Sequence, residues 1–171
     1  LPASERHHLL HTLNAPQGEY ADASLIHHQV ETQAAVRPDA IAVMYEHWNL
    51  TYGALNQRAN QVAHQLLSLG VRPDDRVAIC VERGLDMLIG LLGILKSGAA
   101  YVPIDPAYPL ERIAYTLSDS APVAVLVQPS TLALVGQLTV PVIDLQSREL
   151  RDQQNTNPHV PALTAAHLAY V

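Results

Sequence analysis

Between Arg76 and Val127 the chain alternates two kinds of segment, and few folds accommodate that order. RVAICV (Arg76 to Val81), AAYVPI (Ala99 to Ile104) and VAVLV (Val123 to Val127) are short, continuous apolar runs, suited to strands buried on both faces. Helical patterns separate them. Leu85 to Ser97 is apolar almost all round and is closed by Gly98. Pro109 sits at the start of a second helix running to about Asp119, where a fixed φ fits and a missing N–H costs nothing. Strands alternating with helices of this length imply right-handed crossovers. The expected fold class is therefore α/β, with a mostly parallel sheet and helices on both faces.

The flanking segments extend the pattern. SERHHLLHTLN (Ser4 to Asn14) predicts a short amphipathic helix, APQGEYADA (Ala15 to Ala23) a loop, and SLIHHQVETQAAV (Ser24 to Val36) a helix stopped by Pro38. AIAVMY (Ala40 to Tyr45) predicts a strand, and EHWNLTY (Glu46 to Tyr52) a turn with a short return strand. Thr51 is placed to cap the next helix. Along that helix Leu55, Ala59, Val62, Leu66 and Leu69 recur at steps of four and three, before Gly70 ends it. STLALVG (Ser130 to Gly136) predicts a short helix, PVIDL (Pro141 to Leu145) a strand, and RDQQNTNPHVPAL (Arg151 to Leu163) a polar loop. HLAYV (His167 to Val171) is read as the beginning of another strand.

Composition limits the function classes. The 171 residues suffice for one ordinary domain, and 49% hydrophobic against 15% charged residues describes a globular chain. A net charge of −6 argues against sequence-independent binding of nucleic acid. No apolar run is long enough to span a membrane: the most apolar, Leu85 to Leu95, contains two glycines. LPASERHHLL lacks the basic and apolar regions of a signal peptide. One cysteine, Cys80, excludes a disulfide framework within the chain, and a cytoplasmic location is expected.

The chemistry-bearing residues assemble into no complete catalytic site. No G-x-G-x-x-G follows a strand. GILKSG (Gly93 to Gly98) ends in Lys-Ser, but it lies late in a helix, where backbone amides cannot wrap a phosphate. His7 and His11, four apart, could share a helix face toward zinc, yet the intervening residues lack a general base, and a solvated face is the reading. His47 and His64 have no partner in view, and His64 is read as decoration of a polar helix face. Cys80, inside an apolar strand, is a core residue. Trp48 is expected to be exposed at a hairpin tip or to touch a partner. Asp105 stands at a strand end between Pro103 and Pro106. A short carboxylate there accepts backbone N–H groups, so a structural role is expected over catalysis.

The stretch LKSGAAYVPIDPAYPLERIAY (Leu95 to Tyr115) resembles, almost residue for residue, the second core motif of adenylation domains in nonribosomal peptide synthetases. The matching positions are Leu95, Lys96, Gly98, Tyr101, Val102, Pro103, Asp105, Pro106, Tyr108, Pro109 and Arg112. LTYGALNQRANQVAHQLLSLGV (Leu50 to Val71) is similar to the first core motif at Leu50, Thr51, Tyr52 and Leu55, with Ala54 where glutamate is usual. VETQAAVRPDAIAV (Val30 to Val43) resembles the family's F-E-x-Q segment, with Val30 in place of phenylalanine.

The resemblance implies the acyl-adenylate-forming enzyme fold. It implies a division into a linker with a short helix (residues 1–23), following a condensation domain, and the first part of the large adenylation subdomain (residues 24–171), ending before the phosphate loop. It implies activation of an amino acid by ATP and Mg, then transfer to the phosphopantetheine thiol of a carrier protein. The core-motif positions are implied to be scaffold. No catalytic, cofactor-binding or metal residue is expected among the 171, and the piece alone is expected to be inactive. The implied partners are the upstream condensation domain, the rest of the adenylation domain, the carrier protein and a small helper protein. Two other readings stand beside this one: a non-catalytic interaction module that binds a condensation domain or helper, and a carboxylate–CoA or carrier-protein ligase outside peptide synthesis.

Overall fold

The structure, a computed structural model, describes residues 1–13 and 25–171. The loop expected at Ala15 to Ala23, the boundary at 23 and the start of the second helix at Ser24 lie outside the described residues. The first helix is α1 (Ala3–His7), which runs into a π-turn at His8–Thr12; it buries none of its residues. Next come α2 (Ile26–Val36), β1 (Ile41–Tyr45), β2 (Trp48–Thr51), α3 (Tyr52–Ser68) and β3 (Arg76–Cys80). They are followed by α4 (Leu85–Ser97), β4 (Ala100–Pro103), α5 (Leu110–Ser120), β5 (Ala124–Val127), a 3₁₀ turn at Leu132–Val135, β6 (Val142–Asp144) and α6 (Arg148–Arg151).

Four strands form one parallel sheet in the order β4-β3-β5-β6. Because side chains alternate across a strand, each central strand feeds two cores. Val77, Ile79, Ala124 and Leu126 pack with Leu55, Val62 and Leu66 of α3 and Ile89 and Ile94 of α4. Ala78, Cys80, Val125 and Val127 turn the other way, onto Ile113 and Leu117 of α5 and Val135. Helices on both faces thus explain why these strands read as unbroken apolar runs.

Local chemistry sets the helix ends. Thr51 Oγ1 accepts the Ala54 N–H at 3.2 Å, capping α3. Gly98 takes a left-handed φ of 89° and closes α4: its N–H donates to Leu95 O at 3.1 Å, and the Ala99 N–H to Ile94 O at 3.2 Å. Helices α3 and α4 approach closely at Gly93, where a Cβ would fall 2.5 Å from Cβ of Val62.

The turn and return strand expected at Glu46 to Tyr52 are present: β1 and β2 form an antiparallel hairpin apart from the parallel sheet. A two-residue connection returns the chain antiparallel, whereas a parallel partner needs a crossover. Two expectations need correction. First, the strand expected at His167 to Val171 is reduced to one parallel bridge between Tyr170 and Tyr101, because Thr164–His167 is occupied by a turn. Second, Arg151 ends a short helix that the sequence reading missed; Ser147 Oγ accepts the Leu150 N–H at 3.3 Å, and Leu150 is buried.

Candidate functional site: a cleft at the carboxyl ends of the sheet

The loop after β3 leads to α4 on one face, and the loop after β4 leads to α5 on the other. Where adjacent strands send their loops to opposite faces, a crevice opens at the carboxyl ends of the strands. A cleft of about 670 Å³ lies there. Its walls are mainly apolar: Ile79, Val81, Met87, Leu91, Tyr101, Ile104 and Leu134. Glu82, Arg83, Asp105, Ser130 and Thr131 supply the polar atoms.

One wall is the corner from Pro103 to Pro109. The Ile104 N–H donates to Ile79 O at 2.9 Å, tying the end of β4 to β3. Asp105 Oδ1 accepts the Ala107 N–H at 2.9 Å, and Asp105 O accepts the Tyr108 N–H at 3.0 Å. The carboxylate thus forms the turn on itself, between two residues whose φ is fixed. The helix that follows starts at Leu110, with Pro109 as its cap and Pro109 O accepting the Arg112 N–H at 2.9 Å. The Arg112 guanidinium lies 4.2 Å over the Tyr108 ring.

The opposite wall is tied together by Asp86, in the first turn of α4. Its carboxylate accepts from Arg58 at 3.0 Å, from Gln128 at 3.0 Å and from Gln146 at 2.8 Å. Burial alone would raise this carboxyl, but the hydrogen bonds from Gln128 and Gln146 and the Arg58 charge outweigh it and hold the group below its ordinary value. Gln128 also accepts the Glu82 N–H at 2.9 Å, and Thr131 donates to Cys80 O at 2.6 Å. The loops after β3, β5 and β6 therefore share one polar knot. Sequence reading missed it, because Asp86, Gln128 and Gln146 carry no local motif.

The sequence-derived residues separate into three places. Tyr101, Pro103, Asp105 and Pro106 line the cleft, with Val102 buried beneath and Tyr108, Pro109 and Arg112 bracing the corner. Leu50, Thr51, Tyr52 and Leu55 lie at the junction of β2 and α3. Leu50 and Leu55 pack into the α3–α4 core, and the Tyr52 N–H donates to Ala40 O at 2.9 Å. Leu95, Lys96 and Gly98 close α4. Lys96 is turned away from the cleft, fully buried, and paired with Glu31.

Cys80 is wholly buried, and burial, then the charge of Asp105, pushes its thiol above its ordinary value. Trp48 is 70% exposed beside the hairpin turn. The His7 and His11 rings lie 4.7 Å apart at a tilt of 42°, but among the described residues no three His, Cys, Asp or Glu side chains converge as metal ligands. His64, half-buried on the polar side of α3, does have a partner: its Nε2 lies 2.9 Å from Thr156 O.

The cleft residues do not fit a metal–nucleotide triphosphate by themselves. Among the lining residues Arg83 is the single cation, and the two carboxylates stand against apolar walls. No glycine-rich turn presents its amides there.

The cleft and sheet define an α/β protein of the kind that binds ligands at strand ends. The chain belongs to the AMP-binding enzyme family, whose model matches residues 30–171, and its relatives place it among the adenylation domains of nonribosomal peptide synthetases. A linear gramicidin synthase polypeptide of Brevibacillus parabrevis is 46% identical over 169 residues, covering 98% of this chain and 3% of that protein. Malpinin synthetase of Mortierella alpina is 46% identical over 177 residues, covering 100% of this chain and 2% of that protein. The chain thus spans a small fraction of these multidomain relatives. A crystal structure of the nonribosomal peptide synthetase FmoA3, in its alpha-methyl-L-serine-AMP bound form, superposes with a TM-score of 0.84 at 30% identity, covering 90% of this chain and 17% of that one. Among the described residues no helix is long and apolar enough to cross a membrane.

Proposed function

We propose that this chain is the framework of an adenylation domain that activates an amino acid in the cytoplasm with ATP and Mg. A carboxylate oxygen attacks the α-phosphorus, the bond to the β-phosphate bridging oxygen breaks, and aminoacyl-AMP and pyrophosphate result. The acyl group then passes to the phosphopantetheine thiol of a carrier protein, releasing AMP. The observation that carries the reading is the bridge of Tyr170 to Tyr101, on the outer side of β4. Leu168–Val171 runs parallel to β4, so the polypeptide that follows Val171 in the complete domain is delivered to the strand ends beside the cleft. The FmoA3 structure holding an aminoacyl-type adenylate supports the same assignment.

In this reading residues 1–171 supply walls and alignment. The phosphate-binding amides, the metal ligands and the cation that stabilises the transition state come from outside them. The condensation domain, the carrier protein and a small helper protein are the proposed partners. The test is ATP–pyrophosphate exchange with a pool of amino acids, comparing the 171-residue chain with a polypeptide extended through a phosphate loop and small C-terminal domain. Background exchange is expected for the chain alone and amino-acid-dependent exchange for the extension. Exchange by the pure chain would place a nucleotide site within residues 1–171.

A further inference from the structure

The chain must travel from β6, at one edge of the sheet, to the bridge beside β4, at the other. It does so without a long helix. Beyond α6, residues 152–169 form a strap with no regular secondary structure. Crossovers in parallel sheets are usually helical, and a helix satisfies its own backbone. A strap cannot, and here side chains of α3 do so instead.

One polar seam of α3 holds it. Gln61 donates to Arg151 O at 2.6 Å and Asn60 to Asn155 O at 2.7 Å. His64 Nε2 lies 2.9 Å from Thr156 O. Asn157 Oδ1 accepts from Asn56 at 2.8 Å and from Asn60 at 3.0 Å, with the Lys96 ammonium 3.5 Å away. Lys96 in turn is held by Glu31 of α2. Both asparagines direct their amide donors to the strap and leave their own Oδ1 atoms buried without a partner. An unpaired buried acceptor is costly, so this orientation is imposed by the strap rather than by the core.

The far end of the strap is fixed as specifically. The Leu168 N–H donates to Asp74 Oδ1 at 2.8 Å. The Tyr101 N–H donates to Ala169 O at 3.0 Å, and the Tyr101 and Tyr170 rings stack at 5.8 Å. Asn56 and Asn60 of α3 and Lys96 of α4 thus meet at one acceptor, Asn157 Oδ1, with Glu31 of α2 behind Lys96.

We propose that the α3 seam, with Lys96 and Glu31 behind it, is a positioning device. It sets the register of Leu168–Val171 against β4 and so aims the polypeptide beyond Val171 at the cleft. The placement rests on the adenylation reading; the register does not. Asn56, Asn60, Lys96 and Asn157 are positioning residues that touch no reacting atom.

The Tyr101 amide reports on the register, because its partner belongs to the strap. The Ile104 amide, just past β4 and facing inward, donates to Ile79 O of β3 and reports on the sheet. Amide hydrogen exchange of the full chain therefore separates the two. In Asn157→Ala, the Tyr101 amide is expected to exchange about tenfold faster while Ile104 is unchanged. Asn157→Asp keeps the acceptor and is expected to restore protection. A Gln61→Ala/His64→Ala double variant tests the seam at its other end, with the same expected split. Three results overturn the proposal: unchanged Tyr101 protection in both Asn157→Ala and the double variant, a parallel rise at Tyr101 and Ile104, or failure of Asn157→Asp to restore it. No nucleotide is needed. An extended polypeptide that adenylates nothing would defeat the functional reading and leave this result standing.

Discussion

Lys96 and Glu31 lie 65 positions apart in the chain and form a buried ion pair in which the lysine side chain has no solvent exposure. Burial lowers the Lys96 ammonium from its ordinary value, and the hydrogen bond and charge of Glu31 oppose that shift. The lysine of an apparent phosphate-loop string is thereby committed to holding α2 against α4.

A buried charge stripped of its partner is expensive, whereas replacing both partners by apolar groups is not. Glu31→Leu alone is expected to lower stability by about 3 kcal/mol, and Glu31→Leu/Lys96→Met to recover most of that. Urea denaturation of the three proteins checks this. A double variant as unstable as the single one would show that the pair is net stabilising.

His27 is buried beside this pair, and its imidazole is pulled from 6.5 to about 4, by burial first and by the charge of His28 next, against an upward pull from Glu31. Between those values the unfolded chain takes up a proton that the folded chain refuses. Stability is therefore expected to fall as pH drops from 6.5 toward 4, by at most about 3 kcal/mol from this group. His27→Gln should flatten that part of the pH profile measured by thermal melting. An unchanged slope would mean that His27 is protonated in the fold.

Asp105 acts through its Oδ1 on the Ala107 N–H. Asparagine keeps that acceptor, so Asp105→Asn is expected to cost under about 1 kcal/mol, and Asp105→Ala about 1 kcal/mol. In the extended polypeptide, pyrophosphate exchange by folded Asp105→Asn should stay near normal. A loss of about a thousandfold would make it a transition-state group.

Gly93 lets α4 meet α3 at Val62 and Ala59. A methyl group there meets Cβ and Cγ1 of Val62 at 2.5 Å, and Cβ cannot rotate away. Gly93→Ala is expected to destabilise by about 2 kcal/mol, despite alanine's better helix propensity. A gain in melting temperature would show that the two helices can separate without loss.

Local physics made much of this fold legible in the sequence. A four-and-three apolar period can only be an amphipathic helix, so α3 was readable, and Thr51 and Gly70 marked its ends within a residue or two. Unbroken apolar runs between helices required a sheet covered on both sides, which Val77 and Ala78 now show by pointing into different cores. The turn at Asp105 was readable because its acceptor and donor are two residues apart. The rest depended on partners that only the folded chain selects. The hairpin's separation from the sheet, the strand order β4-β3-β5-β6 and the knot at Asp86 are of this kind. So is the grip of Asn60 on a carbonyl 95 positions away. A polar side chain on an exposed-looking helix face carries no period that names its acceptor. His64 reads as decoration of a polar face until the strap is laid over it, since hydrogen bonding depends on where two distant segments come to lie, and that is decided by packing of the apolar faces between them.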